Sequence, residues 1–523
     1  MKTITQKEYI IYFFISLCFV AFNFATIKTL LPWCDEVMFL DTPINYVMYD
    51  SWSTTAWNKV SDNVAFSIYP PLFQWVETIW MHIFGISIFS TRSLNFLIVF
   101  LIGLLILQFV KKYIYHNGSL GTMTVVVFSF LLWGTQEFGW MYRNARPDML
   151  GMLFCLLTLR SIWNYLNSKS RFYLIQSCIF TNCAFISGIQ TAIFLIAVLL
   201  FVLLLYKDNR KYIIKVGIAV FLGFLLGMII CIAFFYHMGN LKPFIANIVK
   251  MSATLRSFFE TVRPYIEGPL HLKPAAEREI SNVAVETPSF FQRLLDSFNY
   301  LSYIVIVIIN MSLLFIYRKN IKRPFVKDSA LMLTVFSVFI ILFMNLAGRF
   351  ALYYRWMAFL PLLLSTLIIL NSNQGNKLLK TGIYSIVTFI LLMIGGYSFI
   401  NYDGGISNSY NIKMKDFQNM MNDANIPKDS HVAGPFFSYY VLKENYSHCY
   451  FPQIYPTTFI NKLDYLIVYG ETTHKKFELY GQASVINYLH ELQSRDDVKL
   501  SLVHQDAKND IKLYKVNILD RND

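Results

Sequence analysis

The chain has 523 residues, of which 55% are hydrophobic, 17% aromatic and only 15% charged, with a mean hydropathy of +0.45. That balance excludes a soluble globular protein of this size. The apolar stretches do not alternate, which excludes a β-barrel. The formal charge of +13 does not point to nucleic acid, because the basic residues are scattered over loops and form no stripe.

Runs of about 20 apolar residues are long enough to cross a hydrocarbon layer as helices, which alone satisfy their backbone there. In chain order they predict spans at 9–31, 93–114, 120–138, 147–166, 171–187, 189–206, 213–236, 298–317, 329–347, 356–371 and 381–400. The fold class expected is a polytopic α-helical membrane protein with about eleven crossings. The first run is too long for a signal peptide and has no small-residue cleavage site, so it reads as a retained helix.

Alternate loops carry Lys111 and Lys112, then Arg160, Lys169 and Arg171, then Lys207, Arg210, Lys211 and Lys215, then Arg318, Lys319, Lys322, Arg323 and Lys327, then Lys377 and Lys380. These loops are nearly free of acid, which is the positive-inside pattern. It places the N-terminus in the cytoplasm of a cell inner (plasma) membrane protein. The outer side then receives the loops 32–92 and 238–298, the junctions 136–148 and 348–355, and everything after Asn401. Within the first outer loop, Pro70-Pro71 followed by Leu72 to Trp80 predicts an aromatic helix lying in the interface. The proline-bearing loop 238–298 reads as a cover over an outer site.

Beyond Asn401 the composition becomes that of a soluble domain. Asp403-Gly404-Gly405 predicts a turn, 416–424 and 484–492 helices, and 466–469, 498–503 and 511–516 strands. The division expected is a membrane domain over 1–400 and a small non-cytoplasmic α/β domain over 401–523. Of the seven cysteines, Cys18, Cys155, Cys178, Cys183 and Cys231 lie in apolar runs and read as small hydrophobes. Cys34 and Cys449 share the outer side, but nothing in their spacing argues for a disulfide. No CxxC or Cys/His cluster indicates a metal, and His237 and His271 stand alone.

Four polar features fall at outer helix mouths: Asp35-Glu36, Arg92, the run Arg143-Asn144-Ala145-Arg146-Pro147-Asp148, and Arg349 with Tyr353, Tyr354 and Arg355. The topology brings all four to one level on one side. Arginines there bind a phosphate by paired hydrogen bonds, and a carboxylate beside them takes a proton from an attacking hydroxyl. The set suits displacement at a sugar carbon whose leaving group is a lipid phosphate.

Plainer readings stand beside this one. Arg92, Arg143 and Arg355 also read as interfacial anchors. Asp148 also reads as a helix cap or a partner of Arg146, and Glu36 as an ion-paired neighbour. Asp35, with no basic residue near it in sequence, is the candidate general base. A flippase for lipid-linked glycans would place its charges near the bilayer midplane. A glycan polymerase or ligase shares the chemistry, and a non-catalytic scaffold would leave the acidic pair and the arginines without a use.

The order Asp35-Glu36, Pro70-Pro71-Leu72-Phe73-Gln74-Trp75, Gly85 to Arg92, Arg146-Pro147-Asp148-Met149 and Arg355 to Pro361 resembles the GT-C glycosyltransferases. Within them it is similar to the protein O-mannosyltransferase-like and aminoarabinose-transferase-like branch. The resemblance implies an inverting transfer from a polyprenyl-phosphate sugar donor to a lipid, glycan or protein acceptor on the non-cytoplasmic face. It implies Asp35 as catalytic aspartate, Asp148 as a second acidic position and Arg355 near the donor phosphate. Glu36 completes the candidate catalytic set, and Tyr69, Arg92, Arg146, Arg349, Tyr354 and Arg355 form the donor-binding set. Where aminoarabinose-transferase-like members carry Glu-Lys before the paired prolines, this chain has Ile68-Tyr69. The usual acidic ligand of a divalent metal is therefore replaced, no cofactor is implied with certainty, and Tyr69 is left to donate to the phosphate.

Overall fold

The computed structural model describes residues 6–26, 34–52, 54, 69–111, 121–188, 190–192, 194–196, 199, 210–242, 244–245, 301–317, 324–346, 356–371, 382–386, 388–389, 414–446, 448–451, 463–469, 482–506 and 510–519. Its membrane part is helical: α1 (Gln6–Thr26), α2 (Cys34–Tyr49), α3 (Leu72–Phe84), α4 (Ile88–Phe109), α5 (Thr122–Gly134), α6 (Gln136–Tyr142), α7 (Asp148–Ser168), α8 (Arg171–Ser187), α9 (Arg210–His237), α10 (Leu301–Tyr317), α11 (Pro324–Leu346) and α12 (Trp356–Asn371). Among the described residues three helices are long and apolar enough to cross a membrane, at 88–109, 148–168 and 211–237. Shorter apolar helices run over 122–134, 304–315, 330–342 and 356–370. The spans expected at 189–206 and 381–400 fall largely outside the described residues, as do most of the outer loop 238–298 and the turn at 403–405.

Two departures from the sequence reading bear on the site. The stretch after Trp33, expected as loop, is the helix α2, with Pro43 inside it. The helix α4 begins five residues before the expected span, because Ser87 and Ser90 form a reciprocal capping box. Arg92 thereby moves from a helix mouth into the second turn of α4. The helix expected to lie in the interface forms as α3, and it ends at Gly85, whose φ of +78° suits a residue without a Cβ. It buries Phe73, Gln74, Glu77 and Met81 and exposes Ile79, Ile83 and Phe84, so its outer face is apolar, as a helix lying at the headgroup boundary requires.

Lipid is as apolar as leucine, so these helices associate by close packing and by buried hydrogen bonds. Thr334 of α11 meets Ser365 of α12 at 2.7 Å, and Ser337 Oγ donates to the Ala358 carbonyl at 2.6 Å. Asn310 of α10 bonds Thr366 at 3.1 Å and accepts from Tyr384 Oη at 2.8 Å. The α8–α9 contact rests on Gly223 and Gly227, a small-xxx-small pair. A Cβ at Gly223 would stand 2.5 Å from the Cys178 carbonyl oxygen and 2.7 Å from Thr181 Cβ. Backbone cannot swing aside, so Gly223→Ala is expected to destabilise the bundle by about 1–3 kcal/mol. Unfolding temperature of the detergent-purified variant checks this, and an unchanged value would show that α8 and α9 separate freely.

The C-terminal domain is a five-stranded mixed sheet in the order β2-β1-β3-β5-β4, built from β1 (His431–Ala433), β2 (His448–Tyr450), β3 (Tyr465–Tyr469), β4 (Val498–Asp506) and β5 (Ile511–Ile518). Strand β1 runs parallel to both β2 and β3, and β5 is antiparallel to β3 and β4. Parallel neighbours need a crossover, and the one between β1 and β2 contains α14 (Tyr439–Asn445). The expected helices are α13 (Met414–Asp423) and α15 (Gln482–Gln493). Val485, Tyr488, Leu489 and Leu492 of α15 share a core with Leu466, Val468 and Val516 of the sheet. Among the described residues there is no disulfide: Cys449 is a buried free thiol, and the side chain of Cys34 is outside the described set.

Candidate active site

Helix α2 carries the acidic pair at its start. The backbone of Asp35 lies in the first turn, and its side chain is outside the described residues, as are Arg349, Tyr354 and Arg355. Glu36 points into the protein and is fully buried. Its two carboxylate oxygens face Arg92 of α4: Nε donates to Oε1 and Nη2 to Oε2, both at 2.6 Å. This is the forked geometry that guanidinium and carboxylate favour. The Ala145 backbone N–H also donates to Glu36 Oε1, at 3.3 Å.

The Arg143–Asp148 run is drawn to the same place. Asn95, one turn beyond Arg92, donates to the carbonyls of Asn144 (2.7 Å) and Arg146 (3.1 Å). Arg146 pairs with Asp148 at 2.9 Å, both fully buried, and its guanidinium carbon sits 5.3 Å from the centre of the Phe39 ring of α2. Phe39 in turn meets Tyr69 edge-on with ring centres 4.6 Å apart. Asp148 opens α7 behind Pro147, where a carboxylate complements the helix dipole, and it accepts from Gln190 Nε2 at 3.2 Å. The start of α12, directly after Arg355, packs beside α6 through Phe359 and Phe138, 5.4 Å apart.

Thus Glu36, Arg92, Arg146 and Asp148, all singled out from sequence, are gathered in one buried cluster that Asp35 adjoins along α2, with the half-buried Tyr69 packed at its edge on Phe39. Arg92 and Arg146, expected at a donor phosphate, are here engaged by Glu36 and Asp148. Glu36, a candidate for catalysis, is ion-paired. Among the described residues no group of three or more His, Cys, Asp or Glu side chains could hold a metal ion.

Sequence reasoning missed Glu77. It is fully buried on α3, and among the described residues neither of its carboxylate oxygens has a hydrogen-bond partner. Burial first, then the charge of Glu36, push its pKa well above the ordinary 4.5. The only signal in the sequence was an acid on the inner face of an aromatic helix. A folded state that keeps this proton loses stability relative to the unfolded chain as pH climbs above 4.5, with a slope of at most about 1.4 kcal/mol per unit. Glu77→Gln mimics the protonated acid and is expected to flatten this fall in stability as pH rises above 4.5. Thermal unfolding across that range checks it, and identical slopes for the two proteins would show that Glu77 ionises as in water.

Sequence analysis missed a second cluster, farther along α2. Asp41 is fully buried. Its Oδ1 accepts from Tyr439 Oη at 2.7 Å and lies 3.1 Å from Lys443 Nζ, both on α14. Its Oδ2 accepts from Thr54 Oγ1 at 2.9 Å. Burial, followed by the Asp41 charge, holds the Tyr439 hydroxyl well above its usual range, so it stays a donor.

Residues 69–237 match the family model for dolichyl-phosphate-mannose-protein mannosyltransferases. No curated protein sequence matches the chain. Among solved structures, ArnT from Cupriavidus metallidurans bound to undecaprenyl phosphate superimposes with a TM-score of 0.50 at 11% identity, over 99% of this chain and 99% of that one. Apo ArnT from the same organism gives 0.48 at 12% identity over 97% and 98% of the two chains. The apo oligosaccharyltransferase of Archaeoglobus fulgidus gives 0.49 at 11% identity over 89% and 70%. The likeness to undecaprenyl-phosphate-bound ArnT is one of fold, and with the family match it supports the PMT/ArnT-type resemblance read from the sequence.

Proposed function

We infer that this chain, a GT-C glycosyltransferase of the PMT/ArnT type, moves a sugar from a polyprenyl-phosphate donor to an acceptor hydroxyl at the non-cytoplasmic face of the inner membrane. The observation that carries the reading is the buried Glu36–Arg92 ion pair joining α2 to α4, with the Ala145 N–H tying the α6–α7 junction to the same carboxylate, at the residue that follows Asp35. Such a pair is costly to bury, and here it fixes the helix that bears the candidate base.

In this reading the Asp35 carboxylate takes the proton of the acceptor hydroxyl. The acceptor oxygen attacks the anomeric carbon as its bond to the phosphate oxygen breaks, and the polyprenyl phosphate leaves with the bonding electrons. Attack opposite the leaving group inverts the configuration. Arg349, Arg355, Tyr354 and Tyr69 are assigned to the phosphate, where positive charge and hydroxyl donors stabilise the departing oxygen. Arg92 and Arg146 are assigned to the frame, holding Glu36 and Asp148. The C-terminal domain, over 401–523, belongs on the same side as the site. The test is mass spectrometry of lipid-linked sugars and envelope glycans from cells with and without the protein. A lipid-phosphate sugar that accumulates on deletion, together with one glycan that loses a residue, supports the reading. Unchanged pools of both would overturn it.

A further inference from the structure

The short helix α14 reaches α2 from the C-terminal domain. It sends three side chains into the membrane domain. Tyr439 and Lys443 meet Asp41, Lys443 Nζ also donates to Asn45 Oδ1 at 2.6 Å, and the Tyr440 and Thr91 hydroxyls lie 2.8 Å apart. Tyr439 and Asp41 are fully buried, and Lys443 and Asn45 nearly so. Thr91 is the residue before Arg92, whose guanidinium holds Glu36. The domain therefore reaches α2 by two routes: directly at Asp41, and through α4 at Glu36.

Helix α2 needs such support. Pro43 lies inside it and has no N–H to give the carbonyl of Phe39, so the ladder is broken there. Asp41 lies within that broken turn. It is six residues from Asp35, or about 9 Å along the axis.

We propose that the C-terminal domain is a positioning element of the transfer site, in which Tyr439 and Lys443 clamp α2 through Asp41 across the break at Pro43 and so hold the turn that carries Asp35. The clamp deepens the glycosyltransferase reading and rests on it for its consequence. Its existence can be tested separately. None of its residues touches substrate; they act through the placement of α2, and a small misplacement of a reacting group lowers turnover without weakening binding at a distance.

The experiment compares full-length wild type, Tyr439→Phe, Lys443→Met, and Lys443→Met combined with Pro43→Ala, by amide hydrogen exchange in detergent and by kinetics with a polyprenyl-phosphate sugar. Tyr439→Phe removes one oxygen and keeps the ion pair, so it serves if Lys443→Met does not fold. Exchange across residues 36–49 is expected to rise about tenfold or more in either single variant, while that of β3, β5 and α7 stays unchanged. The kcat is expected to fall about 10–100-fold, with KM for the donor within about twofold. Restoring the missing N–H with Pro43→Ala is expected to reverse part of both effects. Unchanged exchange over 36–49 in both Tyr439→Phe and Lys443→Met overturns the clamp whatever the activity. Raised exchange with unchanged kcat overturns its positioning role. If even the wild type transfers no sugar, the glycosyltransferase reading fails, and the exchange data still decide whether α14 clamps α2.

Discussion

Asp35→Asn protein is expected to fold normally and to lose transfer by about 10²–10⁴-fold, the usual contribution of a positioned general base. In free energy this is about 3–5 kcal/mol of transition-state stabilisation. Asparagine keeps the size and polarity of the side chain but cannot take a proton from the acceptor. The loss should fall on kcat, because the base acts on the acceptor proton only as the new bond forms. Initial rates of polyprenyl phosphate release, measured beside the unfolding temperature of the same preparation, check it. Normal turnover by well-folded Asp35→Asn protein would remove Asp35 from this role. Glu36→Gln should cost less in rate and more in stability, since Glu36 already serves Arg92 and the Ala145 N–H.

Arg92→Ala is expected to be the most damaging single change to the fold. The Glu36–Arg92 pair is fully buried on both sides, and removing one partner strands a carboxylate among apolar groups. That costs about 3–5 kcal/mol, whereas replacing both partners by apolar side chains of similar size is often close to neutral. Glu36→Leu with Arg92→Met should therefore recover most of the stability that Arg92→Ala loses, a large coupling in a double-mutant cycle. Unfolding of Arg92→Ala, of the single variants Glu36→Leu and Arg92→Met, and of their combination in detergent reads this out directly. An Arg92→Ala protein as stable as wild type would mean that the pair is hydrated and that Arg92 remains available to a ligand phosphate. Activity adds a second reading, because the stable double variant should still be slow if the pair also orients the first turn of α2.

Much of the helical layout was legible in the residues. The run 171–187 appears as α8 and 356–371 as α12, and 147–166 as α7 with one residue less at its start and two more at its end. Uninterrupted apolar stretches leave the backbone no alternative in lipid. The later strands of the C-terminal domain were legible for a different reason: Leu466 to Tyr469 is a short buried run, and 498–503 and 511–516 alternate. The sequence also marked Glu36, Arg92, Arg146 and Asp148 as polar groups at helix ends that needed an explanation, and the structure gathers them into one cluster.

What the sequence alone could not decide was who pairs with whom. Glu36 and Arg92 are 56 residues apart, and Asp41 and Tyr439 are 398 apart. A carboxylate looks the same in sequence whether it will meet an arginine, a tyrosine or a substrate. Helices α2 and α14 escaped the reading because they are short or polar, and α2 holds a proline. Their local preferences are weak, and they form because of what they are packed against. Hydropathy marked this chain as one of membrane helices and showed where several of them run, because burial in lipid is decided residue by residue. The arrangement around Asp35 was decided by tertiary structure, because a buried charge is stable only where a distant partner has been brought to meet it.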